Sequence, residues 1–195
     1  MSRQTVLELL RQREGAFVSG EEISRHLGLS RAAVWKAVDV LRRQGYTVEA
    51  RTGLGYRLLA APDALTEPEI RRFLPPTEVV GRKLVCLTEV NSTNTRAKEL
   101  AMAGEPEGLV VVADCQTAGR GRMGRSFQSP AGKGLFFSVL WRPDCAPEKL
   151  LPLTALSAVA VCRAVQRVTG VRPQIKWPND LVLGGRKLAG ILTEM

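Results

Sequence analysis

A proline-bearing stretch, AAPDALTEPEIRRFLPP at 60–76, divides the 195-residue chain into two regions with different hydrophobic periods. Upstream of it, apolar residues recur at helical spacing in three short segments. Downstream, apolar runs of strand length alternate with helical segments. The stretch has proline at both ends and one short helix, EPEIRRFL, which is the character of a linker. The chain is therefore read as two domains, residues 1–60 and 77–195, joined by a linker at 61–76.

In the first region Val6, Leu9 and Leu10 mark a helix over 2–13, with Ser2 as its N-cap. SGEEISRHLG follows, where Ser19 and Glu22 form a capping box and Gly28 stops the helix. Ser30 caps a third helix, RAAVWKAVDVLRRQ, which Gly45 terminates. Val34, Val38 and Leu41 share its inner face; Ala32, Lys36 and Arg43 point away, flanked by Arg31 and Trp35. YTVEA, the turn-prone TGLG and YRLL then read as a β-hairpin wing. A three-helix interaction module would also use capped amphipathic helices. The helix-turn-helix spacing, the wing and the basic set Arg31, Lys36, Arg51 and Arg57 favour DNA instead. Ser30, Arg31, Trp35 and Lys36 are the candidate DNA-binding residues, and the region resembles bacterial winged-helix repressor domains.

The second region reads as an α+β domain built on one sheet. KLVCLTEV and GLVVVADC are strands on either side of a helix, TNTRAKELAMAG. GLFFSVLWRP is a further strand, followed by a buried apolar helix over 149–168. QIKWP and the hairpin DLVLGGRKLAGIL close the chain, and the final ILTEM is read as an apolar strand with an exposed edge.

Directly after the second strand, QTAGRGRMGRSFQSP at 116–130 interleaves Gly119, Gly121 and Gly124 with Arg120, Arg122 and Arg125. Glycine lets backbone N–H groups approach a ligand, and arginine offers a planar fork of donors for carboxylate or phosphate. The spacing matches a dinucleotide fingerprint formally, but RSFQSPAGKG after it cannot open a helix. No GxxxxGK[ST] loop is present either. What remains is an ordered anion-binding loop that closes over its ligand. Ser92, Thr93 and Asn94 stand at a helix start, where hydroxyls and free N–H groups can hold a polar or anionic group. Lys176 and Lys187 bracket a hairpin with Asn179 and Asp180 in its turn.

Composition agrees with an anionic partner, since the net charge is +9 and both regions are net basic. His26 is the only histidine, which excludes histidine triads and multi-histidine metal sites. Cys86, Cys115, Cys145 and Cys162 lie far apart without a CxxC, as expected of reduced, buried thiols in a cytoplasmic protein. The longest apolar stretch, LLPLTALSAVAVC, contains Pro152 and is too short to span a bilayer.

STN at 92–94, the 116–130 loop and KWPNDLVLGGRKLAGIL at 176–192, in this order behind a winged helix, resemble biotin protein ligases. The resemblance is to the bifunctional kind that also represses biotin genes, and it covers essentially the whole chain. It implies an N-terminal winged helix-turn-helix followed by a mixed-sheet, class II synthetase-like catalytic domain. It also implies ATP, biotin and Mg²⁺, a biotin carboxyl carrier protein and operator DNA as partners, and a homodimer on DNA. By position, Ser92, Thr93, Asn94, Gln116, Arg120, Gly121, Arg122 and Lys187 would bind biotin. Gly119, Arg120, Arg122, Arg125, Phe127, Lys176, Asn179 and Asp180 would serve the nucleotide. Lys187, Arg122 and Lys176 would be catalytic, and the metal would come with the nucleotide rather than from a protein site. Phe127 stands where the family often has Trp, and the family's catalytic domain continues beyond KLAGIL, so an incomplete catalytic domain is expected. A biotin-sensing repressor without ligase activity and a lipoate-type ligase are the alternatives.

Overall fold

A computed structural model describes residues 2–75, 79–150 and 152–195. The chain divides into two compact units, one ending at Ala64 and the other starting at Leu65.

The first unit is three helices and a hairpin: α1 (Ser2–Gln12), α2 (Gly20–Leu27), α3 (Arg31–Arg43), β1 (Thr47–Arg51) and β2 (Gly55–Ala60). Val6, Leu7, Leu9 and Leu10 of α1 meet Ile23 of α2 and Val34, Ala37, Val38 and Leu41 of α3 in one core. On α1 and α3 those positions include pairs three and four apart, so each of these helices presents one apolar face. Ser19 and Ser30 cap α2 and α3, accepting from Glu22 N at 3.0 Å and Ala33 N at 3.2 Å. The capping box is only half formed, because the Glu22 carboxylate turns to Arg13 at 2.5 Å instead of to the Ser19 backbone. The α1 helix begins at Ser2 itself, so the cap expected there is not outside the helix. The strands β1 and β2 pair antiparallel as the wing, and Val18 bridges to Tyr56 to widen it.

The second unit contains α4 (Glu67–Phe73), β3 (Leu84–Val90), α5 (Thr93–Met102), β4 (Val110–Gln116), β5 (Phe136–Val139), α6 (Leu153–Thr169), β6 (Gln174–Lys176), β7 (Asp180–Leu183) and β8 (Arg186–Gly190). The strand β4 is central, parallel to β3 and antiparallel to β5. Its alternate residues face opposite sides. Val110 and Val112 pack with Leu84, Leu65 and Ile70; Leu109 and Val111 pack with Ala97, Leu87 and Leu100. The helix α4 thus covers one face and α5 the other. The stretch expected as a linker is divided accordingly: Ala61 joins the core of the first unit, Leu65 and Ile70 that of the second, and Pro76 lies outside the described residues.

Four expectations are corrected. Among the described residues the second unit has two three-stranded sheets, β3-β4-β5 and β6-β7-β8, with β6 to β8 pairing with one another. The apolar helix begins at Leu153, after a 3₁₀ turn at Pro147–Leu150, and it is not buried. Only its Ala158 is fully covered, since α6 packs mainly against β6 and β7, leaving Leu156 and Val168 exposed. Residues 191–195 are irregular rather than a strand, for their polar groups bond to side chains of α5 and the turn before β7. The cysteines are free, but Cys145 is exposed and the other three are half-buried. Burial raises the pKa of the Cys86 thiol.

Candidate functional site

The parallel pairing of β3 and β4 brings the C-terminal end of β4 beside the start of α5. Gln116, the last residue of β4, reaches the first turn of α5 there. Its Oε1 accepts from both the backbone N and the Oγ1 of Thr93, at 2.8 and 3.0 Å. Its Nε2 donates to Ser129 Oγ at 2.9 Å. Both ends of the amide are thus fixed, and Gln116 supplies the cap that Ser92, at the N-cap position, does not. Ser138 of β5, itself buried, lies within hydrogen-bonding reach of Thr93 Oγ1 at 2.8 Å and of Asn94 Oδ1. The Asn94 amide nitrogen donates to Leu192 O at 3.2 Å and to Glu194 Oε2 at 2.9 Å.

The glycine–arginine segment leaves this network as a narrow ladder. Gln116 N donates to Ser129 O, Phe127 N to Gly119 O and Gly121 N to Arg125 O, at 3.1, 2.8 and 2.7 Å. The chain reverses through Arg122–Gly124, with Met123 at φ 58° and fully turned to solvent. Gly119 is required by its surroundings: a Cβ there would stand 2.3 Å from Phe127 O and 2.7 Å from Ser129 Oγ. The segment therefore has a defined course, with its arginines displayed on a paired backbone.

Around it lies a groove of about 510 Å³, lined by residues 118–126 with Leu192 and Glu194. Three cations here and in the neighbouring hairpin have a protein acceptor. Arg120 faces Glu194 at 3.7 Å, Arg122 donates to Asn179 Oδ1 at 3.1 Å, and Lys187 meets Asp180 at 2.7 Å. Lys187 Nζ also stands over the Phe127 ring, 5.7 Å from its centre. Glu194 accepts from Asn94 and is flanked by Lys98 at 3.3 Å and by Arg120. These contacts hold its pKa below the ordinary glutamate range, the Asn94 hydrogen bond contributing most. Lys187 is carried on β8 by the Gly184–Gly185 turn, both residues at positive φ, which a two-residue hairpin of this twist needs.

Most of the expected residues are therefore joined by contacts: Thr93 directly with Gln116 and through Ser138 with Asn94, Arg122 with Asn179, and Lys187 with Phe127 and Asp180. Gly121 is half-buried within the ladder. Lys176 lies opposite Asp180 in the strand pairing, but its exposed side chain has no ion pair among the described residues. Arg125 joins through its backbone, and its side chain has no ion pair among the described residues. Ser129, Ser138, Glu194 and Lys98 were not anticipated. The hydroxyl of Ser138 within the apolar run LFFSVLW was the one available signal.

On the first unit, Trp35 and Lys36 are exposed on α3, while Arg31 pairs with Glu21 at 2.8 Å. On the wing, one carboxylate, Glu49, accepts from Arg51 Nε at 2.7 Å and Arg57 Nε at 2.6 Å. The Arg57 bond is the largest influence keeping the Glu49 pKa low. Both guanidiniums lie over the Phe17 ring.

Residues 86–195 match the biotin/lipoate A/B protein ligase family, and residues 2–57 match an HTH domain. The chain belongs to the biotin/lipoate A/B protein ligase family. Its biotin-type relatives include the bifunctional ligase/repressor BirA of Bacillus spizizenii, 48% identical over 99% of this chain and 59% of that protein. The BirA of Escherichia coli is 35% identical over 93% of this chain and 54% of its own length. The biotin protein ligase of Aquifex aeolicus, solved with biotin and ATP, is 38% identical with a TM-score of 0.51. That match covers 58% of this chain and 47% of the other. The chain thus spans less than two thirds of the length of the curated family members it matches. The fold is a helix-turn-helix unit followed by a mixed-sheet ligase unit. Among the described residues, no helix is long and apolar enough to cross a membrane.

Proposed function

We propose that the second unit serves ATP-dependent ligation of biotin to a carrier-protein lysine, and that the first unit represses biotin genes by binding operator DNA as a dimer. The observation that carries the reading is the convergence of Arg120, Arg122 and Lys187 beside the neutral Gln116–Thr93–Ser138 network. A neutral, donor- and acceptor-rich end suits a ureido ring, and a cationic end suits a carboxylate meeting a phosphate. The bifunctional relatives, and the A. aeolicus ligase solved with biotin and ATP, support it.

In the first step a biotin carboxylate oxygen attacks the α-phosphorus of ATP, and the bond to pyrophosphate breaks. Two anions must approach, so the protein's task is positioning and neutralisation rather than proton transfer. Lys187 is assigned to the space between carboxylate and α-phosphate, Arg120 and Arg122 to the acyl-phosphate, and Lys176 and Arg125 to the outer phosphates. Ser92, Thr93, Asn94 and Gln116 hold the biotin ring, and Phe127 offers its face to the adenine side. Biotinoyl-AMP then yields its acyl group to a lysine amine of a biotin carboxyl carrier protein, and AMP leaves. The oxygens of Asn179 and Asp180 are hard donors suited to Mg²⁺, but two are too few for a cage, so they would hold an ion carried by the nucleotide. That Mg²⁺ supplies phosphate charge neutralisation.

The test is mass spectrometry after incubating the protein with ATP and either biotin or lipoate. Biotinoyl-AMP is expected. A lipoyl adenylate instead would make it a lipoate-type ligase, and biotin binding without adenylate would leave a sensor alone.

A further inference from the structure

The groove beside the glycine–arginine ladder has two walls of different origin. One is the ladder itself; the other is Leu192 and Glu194, from the segment after β8. Glu194 is the one anionic side chain among the groove-lining residues. Its position is set from outside the ladder, by the Asn94 amide at 2.9 Å and Lys98 at 3.3 Å, both on α5. It faces Arg120 at 3.7 Å across the opening.

We propose that Glu194 is a positioning residue for Arg120, fixing the ladder and its guanidinium over the groove while leaving that guanidinium able to bind a substrate anion. A guanidinium carries five N–H donors in a rigid fork. Only Nη1 of Arg120 faces Glu194, and the other nitrogens have no ion pair among the described residues. One carboxylate on one corner therefore orients the group without occupying it. Because Glu194 is itself gripped by α5, the orientation is referred to the same helix whose first turn holds Gln116. The cationic groove and the neutral Gln116 network beside it are thereby kept in register. The contact is long and half-exposed, so it sets geometry rather than contributing much stability.

The inference rests on the ligase reading for its substrate but not for its first readout. Trypsin nicking after Arg120, Arg122 and Arg125, followed by mass spectrometry against cuts elsewhere in the chain, reports the ladder directly. Glu194→Gln keeps the Asn94 contact and removes the charge. It should raise nicking there three- to tenfold while lowering the melting temperature at neutral pH only slightly, and weaken biotin binding by calorimetry by a similar factor. Arg120→Lys should reproduce the weaker binding, and adding Glu194→Gln to it should add little. Equal nicking rates in the parent and Glu194→Gln would overturn the proposal. Absence of biotin binding by the parent would overturn the ligase reading instead, and nicking would still decide the role of Glu194.

Discussion

Lys187 is held by two unlike partners, the Asp180 carboxylate at 2.7 Å and the Phe127 face, so its ammonium is aimed rather than free. Lys187→Ala should reduce adenylate formation by at least a hundredfold in a preparation that forms it, as loss of a charge-stabilising donor costs about 3–4 kcal/mol. Pyrophosphate release measures this, and a loss smaller than tenfold would count against the assigned role. At Gly119 the argument is steric. An added methyl at 2.3 Å from a carbonyl oxygen must push the ladder apart. Gly119→Ala should therefore lower stability by roughly 1–3 kcal/mol, read as a shift of the denaturant midpoint. Glu194 gives a pH dependence of known sign. Its pKa is depressed in the folded protein, first by the Asn94 hydrogen bond, so it favours folding at neutral pH. That contribution is lost as pH falls through the depressed value, below the ordinary glutamate range. Glu194→Gln should remove this part of the acid destabilisation, so that parent and variant melting curves converge at low pH.

Among the elements, α3 separates two cations that composition alone treats alike. Lys36 is exposed with no ion pair among the described residues, whereas Arg31 is already paired with Glu21. If α3 lies on DNA, Lys36→Ala should flatten the slope of log affinity against log salt by about one, and Arg31→Ala by less. Equal effects would mean that Arg31 leaves Glu21 on binding. The helices of this unit were legible because each carries its own local signal, a capping serine and apolar residues three and four apart. The helix α6 was misjudged for the complementary reason: LTALSAVAVC is apolar all round, and composition cannot say which neighbour covers which side. The same limit hid the second sheet. Strand existence is written in QIK and DLVL, but which strands pair is decided by contacts distant in sequence.

At the scale of the molecule, the two units differ in how their contacts are distributed along the chain. The core of the first is complete within residues 2–64, so this segment expressed alone should melt cooperatively. Fraying without a transition would show that it depends on the rest. The order of motifs made both units legible, and side-chain chemistry marked Gln116, Arg120, Arg122 and Lys187 as candidates. Glu194 and Ser138 escaped notice because their importance lies only in what the folded chain brings to them. One consequence of that folding concerns time. Asn94 reaches Leu192 across 98 positions and Glu194 across 100, whereas no tie within α1 to β2 spans as many. Closing so long a span costs chain entropy before any bond rewards it. The groove should consequently be the last part of the protein to acquire its native form. On the proposed function, helix signal in a refolding reaction should recover ahead of biotin capture, giving a fold-competent but ligand-blind interval.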